Sequence, residues 1–516
     1  MNASLFSLAR LDWTIYLSWI GVLAVVLIPS TKKDAIRWTA LAFATAGLVV
    51  ACVGLFTWTP PTSGAGIEAL RASFKQFEVD LPWIPAIGAR YHLGADGISL
   101  TLLVLTGFVA VTGVLFSWNQ ETRVKEFFAF LLLLVSGVYG VFLSLDVLLL
   151  FAFYELAIIP KYFIIAIWGS TRKEYAAMKL VLYSFAGSSL VFAGIVALWA
   201  KAGGTTFDLL ALKEVAFATD FQVFCFPLVF IGFAVLAGMW PFHTWAPTGH
   251  SAAPTAASML LAGVVMKLGA YGCLRVGIFL FPEALTAYGG FWQWTIATLA
   301  VIGIVYGAGA ALVQKDFKFV VGYSSVSHMG FVLLGLVTLN TVGLDGAVLQ
   351  MFSHGIVASL LFAAVGRMVY DRTHTRVLAE LSGMRLVAHM PFVAGVFIIG
   401  GLASMGLPGF SGFVAEMQVL VGAWEHFPWL TIITGGGIVL TVWYTFRAFL
   451  TAFFGDRAAA TTEHHEPLPP ITWQERAASV ILIALLVIVG LLPSVLLDRI
   501  DPSAQLFITS ISKALP

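Results

Sequence analysis

Charge is scarce in this sequence. Asp, Glu, Lys and Arg make up 11% of its 516 residues, against about 25% in a soluble globular chain. So few charges cannot cover a water-facing surface of ordinary size, which excludes a soluble fold and leaves most of the surface to lipid. An excess of either sign is missing too. The net charge is +1, so no global field draws the chain to nucleic acid or acidic ligands. Cysteine is nearly absent. Cys52, Cys225 and Cys273 each sit alone in an apolar run and read as small core residues. No zinc or iron–sulfur spacing is present, so no metal or cofactor is expected in this chain, and redox chemistry would fall to partners. A cleavable leader is also missing. Arg10 and Asp12 precede an apolar run ending near Pro29 with no small-residue cleavage pattern, which reads as a first transmembrane helix.

What is abundant is apolar sequence, 59% of residues. A membrane span needs about 20 apolar residues. Runs of that kind fall at 12–30, 36–58, 97–118, 125–144, 146–169, 176–200, 222–245, 254–280, 291–313, 319–338, 345–370, 390–424, 428–454 and 475–498. The expected fold is therefore an all-α polytopic membrane protein with about fourteen spans. One set of alternate loops holds Lys32, Lys33 and Arg37, then Arg123 and Lys125, then Arg172 and Lys173. It continues with Lys315, Lys318, Arg367, Arg372, Arg376 and Arg385. On the other side Arg71, Lys75 and Arg90 are diluted by Glu68, Glu78 and Asp80. The bias makes the basic loops cytoplasmic and puts both termini outside.

Two runs are interrupted. One contains Gly238-Met239-Trp240-Pro241-Phe242-His243, the other Gly406-Leu407-Pro408-Gly409-Phe410-Ser411-Gly412. Proline removes a helical hydrogen bond, and such breaks survive in a membrane only inside protein or beside a wet cavity. Matching interruptions in two halves point to an inverted-repeat transporter and its binding site.

Three charges lie deep in apolar runs: Glu155, Lys267 and, just after the second break, Glu416. Glu155 is about 14 Å along a helix from Asp146, near the middle of a hydrocarbon layer about 30 Å thick. A charge there costs about 2.5–3.5 kcal/mol on insertion scales, which argues for use in ion transport over a static interhelical pair. His328 and His354 lie inside runs, and His243 and His250 flank the first break. An imidazole exchanges protons near neutral pH, so these are candidate relay groups as well as ordinary buried histidines. Lys179 either snorkels to the interface or joins the charged axis. Arg447 reads as an interfacial residue, and His464 and His465 as part of a solvated loop.

These motifs, in this order, resemble subunit M (chain 4) of complex I, the respiratory NADH–quinone oxidoreductase, within the Mrp-antiporter-like superfamily. The likeness rests on Trp83-Ile84-Pro85, Asp96-Gly97-Ile98-Ser99, Tyr154-Glu155-Leu156, Pro241-Phe242-His243-Thr244-Trp245 and Ala253-Pro254-Thr255. It continues with Tyr323-Ser324-Ser325-Val326-Ser327-His328 and Gly406-Leu407-Pro408-Gly409 through Glu416. The resemblance implies two inverted five-helix half-channels containing two broken helices. It divides the chain into N-terminal helices with an external loop (1–118), a first half-channel (119–280), a second (281–455), and a cytoplasmic loop with a C-terminal helix (456–516). Glu155 would serve the first half, Lys267 the link and Glu416 the exit, with His328 and His354 between them.

It further implies an enzyme subunit without its own redox site in a bacterial inner membrane, beside antiporter-like neighbours of the L and N types and lipid. NADH and quinone would be bound only by partners, and nucleic acid by none. A multisubunit cation/proton antiporter, or the membrane arm of a hydrogenase or inorganic-carbon uptake complex, are the alternatives. One departure is visible. Leu236 stands seven residues before His243, where the family usually has the lysine that pairs with the Glu155 counterpart, and Thr248 replaces a common aspartate. Lys161 is about 240° round an ideal helix from Glu155, which leaves Lys179 as the better expected replacement.

Overall fold

The computed structural model describes residues 10–61, 66–455 and 468–512. His464 and His465 lie outside the described residues. Helices dominate, because apolar side chains in lipid leave the backbone to satisfy its own hydrogen bonds. By length and hydropathy, twelve helices among the described residues can cross a membrane, and Trp13–Leu27 and Pro391–Ser404 are apolar but shorter. The expected count of about fourteen thus stands at twelve on this measure.

The differences have local causes. The run 390–424 is two helices, Pro391–Ser404 and Ser411–Trp424, and the run 222–245 divides into Thr219–Ala237 and Trp245–Ala252. In each case a glycine in the left-handed region ends or follows the first helix, Gly238 at φ +81° and Gly406 at φ +67°. A side chain would be strained in that conformation. The last run, read as 475–498, stops at Leu491 before Pro493, and a second helix, Ser494–Ile511, follows. Its apolar face is buried, with Ser503 Oγ accepting from Gly97 N at 2.9 Å. The expectation of an all-helical chain also misses a small hairpin, Val79–Ile84 paired antiparallel with Ala89–Leu93.

An internal symmetry organises the chain. Asp146 and Asp316 each cap a helix, accepting from the backbone N–H groups of Leu148 and Leu149 or of Lys318 and Phe319. Each capped helix begins at a short bridge to a later loop. Val147 N donates to Phe207 O at 2.9 Å and Leu209 N to Leu145 O at 2.8 Å, while Phe317 N donates to Arg376 O at 2.8 Å and Leu378 N to Lys315 O at 2.9 Å. The two bridges lie on opposite faces. Arg376, at the second, reaches Asp316 at 2.5 Å and also Ser170, at the far end of the Val147–Trp168 helix from Asp146. The two copies are therefore inverted.

The helices Gly97–Phe116, Thr255–Ile278 and Thr341–Phe362 lie at the centre with almost every residue buried. Lys33–Thr57, Lys173–Lys201, Pro428–Phe454 and Trp473–Leu491 are peripheral. The basic loops gather on one face, where Lys33 and Arg37 hold Glu121 at 2.5 and 2.7 Å. These two cations hold the Glu121 carboxyl below its usual range. On the opposite face His92 of the hairpin bonds Asp208 at 2.5 Å and Glu78 at 3.0 Å. Burial works against the His92 imidazolium, but the two carboxylates outweigh it and raise its pKa. Burial likewise opposes the Asp208 carboxylate, and His92 with backbone donors lowers its pKa nonetheless.

Candidate functional site

The Lys267 helix is irregular. A π-turn at Leu261–Val265 precedes the α-helical stretch Met266–Gly272, and a second π-turn, Cys273–Ile278, follows it. Such turns disturb the helical ladder and gather at functional sites. Here the Lys267 ammonium, fully buried, donates to the Ala262 carbonyl five residues back. It also meets His354 Nδ1 at 2.7 Å.

A line of polar groups extends from this point. The His354 ring lies 5.5 Å from that of His328. His328 Nδ1 is 3.3 Å from Glu416 Oε1, and its Nε2 is 2.9 Å from Ser404 Oγ. Gln350 Nε2 donates to Glu416 at 3.4 Å and lies 3.3 Å from His328 Nδ1. A cavity of about 10 Å³ lies among His328, Gln350, Ser353, His354, Ser404 and Glu416, close to the least space that holds one water. His354 Nε2 and Gln350 Oε1 are buried without protein partners, so the lining offers polar sites for such a water. The break at Met405–Phe410 is what brings Glu416 here. It ends one helix just after Ser404 and starts the next at Ser411, so both helices present polar groups to His328.

The first half is arranged differently. Glu155 is half-buried, its Oε1 without a hydrogen-bond partner, beside Ser188 of the next helix. Lys161, six residues on in the same helix, is 1% exposed and its Nζ also has no partner. Lys179 turns elsewhere: its Nζ reaches Thr248 Oγ1 at 3.4 Å and lies 5.9 Å from the centre of the Tyr175 ring. A cavity of about 420 Å³ adjoins this spot, lined by Arg172, Tyr175, Thr248, Ser251 and Arg376 on the basic-loop face. His243 sits beside Tyr306 and Tyr323, at 5.1 and 6.3 Å between rings, and His250 beside Trp245 and Phe362. Neither histidine has a hydrogen-bond partner among the described residues.

Of the residues expected to act, the structure joins Lys267, His354, His328 and Glu416 in one line. Glu155, Lys179 and His243 are not hydrogen-bonded to it. The expectation that Lys179 replaces the cation missing at Leu236 is corrected, because its hydrogen bond and ring contact hold it toward Thr248 and Tyr175. Gln350 and Ser404 were missed. A glutamine four residues before His354 in an apolar run was the available signal. Also missed was the buried pair of Arg275 with Asp96, which ties the Lys267 helix to the start of Gly97–Phe116. Arg447 bonds the Leu312 and Gln314 carbonyls at the basic-loop face, in keeping with an interfacial residue.

Residues 144–441 match the family described as NADH:quinone oxidoreductase/Mrp antiporter, transmembrane. The chain is 36% identical to NADH-quinone oxidoreductase subunit M of Rhodobacter capsulatus, over 92% of this chain and 90% of the relative. It is 34% identical to the subunit M of Escherichia coli, over 98% and 100% of the two chains. Its fold is that of a chain in the respiratory complex I from Thermus thermophilus with bound NADH, with TM-score 0.84 at 24% identity over 97% of this chain and 100% of that one. With the inverted halves and the buried polar line between them, these likenesses identify the chain as a member of the NADH:quinone oxidoreductase/Mrp antiporter transmembrane family, on its subunit M branch.

Proposed function

We propose that this chain translocates protons as an antiporter-like membrane subunit of a NADH–quinone oxidoreductase, along a buried line from Glu155 through Lys267, His354 and His328 to Glu416. The observation that carries the reading is the run of polar groups from Lys267 to Glu416, in close contact except across one water-sized space beside the two histidine rings, in an otherwise apolar core. A proton on Lys267 Nζ can pass to His354 Nδ1. The opposite nitrogen, Nε2, can then release a proton toward His328 through a water-sized space, and His328 Nδ1 can pass one to Glu416. Working against about 100 mV takes about 2.3 kcal/mol per proton, the size of a modest pKa change, so shifting ion pairs can drive each step.

In this reading residues 119–280 and 281–455 are the two half-channels. The cavity beside Lys179 and Thr248 is the uptake mouth on the cytoplasmic face, and release is on the periplasmic face, where both termini lie. The chain works in a bacterial inner membrane beside L- and N-type neighbours, and partners bind NADH and quinone. Relatives named for NADH–quinone oxidoreductase over nearly the whole chain favour this assignment above a free-standing antiporter or a hydrogenase. The test is Glu416→Gln in the assembled complex in membrane vesicles. Loss of proton pumping with assembly retained is expected, and full pumping would refute the exit assignment.

A further inference from the structure

Lys161 is a buried cation that the line above does not use. Its side chain is 1% exposed, and its Nζ has no hydrogen-bond partner. Glu155 on the same helix carries a buried, unpartnered Oε1. The two lie six residues apart on the Val147–Trp168 helix, and neither Glu155 Oε1 nor Lys161 Nζ has a hydrogen-bond partner among the described residues. The facing helix offers no cation, because Leu236 is apolar and 1% exposed. That helix is close by: Gly187, next to Ser188, packs on Val235, next to Leu236, and the Tyr154 ring meets Phe233 at 5.4 Å.

We propose that Lys161 is the resident charge partner of Glu155, so that the first half builds its ion pair within one helix, across Pro160. Proline at 160 leaves the Leu156 carbonyl without its helical donor. An uncoupled acceptor therefore sits on the turn between the two charges, where an ammonium that swings away from Glu155 can bond. Lys161 is a positioning residue in this scheme. It sets whether Glu155 is ionised, and a separation of the two charges releases Glu155 to take a proton. The proposal rests on the proton-translocating reading above.

The test uses the whole complex in membranes and infrared difference spectra, with Glu155→Gln to identify the carboxyl band. In the unmodified chain Glu155 should give a carboxylate band at neutral pH. Lys161→Met keeps bulk and removes charge, and should convert that band to the protonated acid. Adding Leu236→Lys to Lys161→Met should bring the carboxylate band back, because it supplies a cation from the neighbouring helix. A band that does not respond to Lys161→Met overturns the proposal even where pumping is intact. Lost pumping in Glu416→Gln bears only on the wider reading. If Lys161→Met fails to assemble, the double variant Glu155→Gln/Lys161→Met decides. Restored assembly supports a pair, and continued failure shows that Lys161 has another role.

Discussion

The two inverted halves share a backbone plan but treat their charges differently. In the second half most of the working groups meet at contact distance: His354 with Lys267 at the junction, and His328 with Glu416, Ser404 and Gln350, while His354 Nε2 and Gln350 Oε1 face a water-sized space. In the first half Glu155 Oε1, Lys161 Nζ and both nitrogens of His243 and His250 lack protein partners. Low dielectric strengthens a satisfied network and penalises an unsatisfied one. The second half is thus arranged as a fixed wire, and the first as a set of separable charges. Coupling to a distant driver needs an element with two states, which the first half supplies better.

The strongest way to break this comparison is at the junction. Lys267→Arg keeps a permanent charge, since a guanidinium does not release its proton in proteins. Pumping should fall to background while the complex still assembles, as read by acidification of inverted vesicles during NADH oxidation. Normal pumping would show Lys267 to be a static pair and the junction to lie elsewhere.

A smaller effect separates the halves directly. Gln350→Leu removes the donor shared by His328 and Glu416, and should slow pumping about tenfold, equivalent to ~1.4 kcal/mol, the scale of one hydrogen bond to a charged group. His243→Leu removes a ring that makes no hydrogen bond and should cost several times less. Equal losses in vesicle assays would erase the contrast between wire and separable charges.

The smallest effect lies outside the membrane, where the hairpin joins the first half. The raised pKa of His92 means that its pair with Asp208 stabilises fully below the ordinary histidine value of 6.5 and loses this as pH rises through the folded pKa. The lowered pKa of Asp208 means that its share is present above 3.8 and is lost as pH falls through the folded value. The gap in melting temperature between the unmodified complex and His92→Gln should be widest between these limits and close toward alkaline pH. A gap independent of pH would remove the ion pair from the account.

Much of this was legible in the residues. Scarce charge with long apolar runs dictates a polytopic helical protein, because lipid leaves no other way to satisfy the backbone. The glycine–proline breaks were visible because few residues tolerate such conformations, and Glu155, Lys267 and Glu416 stood out because a charge in an apolar run is costly. What spacing along one chain could not supply was which buried groups meet. Gln350 and Ser404 are ordinary polar residues until two other helices bring His328 and Glu416 to them, and Asp96 and Arg275 are far apart in sequence. Of the two lysines near Glu155, the ideal helix angle favoured Lys179 over Lys161 as a replacement partner. Packing instead holds Lys179 toward Thr248 and Tyr175, which no angle on a helical wheel reports. Sequence alone determined the solvent, the helices and the residues too costly to be idle. Tertiary structure alone decided the partners, because hydrogen bonds and ion pairs act over a few ångströms and only packing sets those distances.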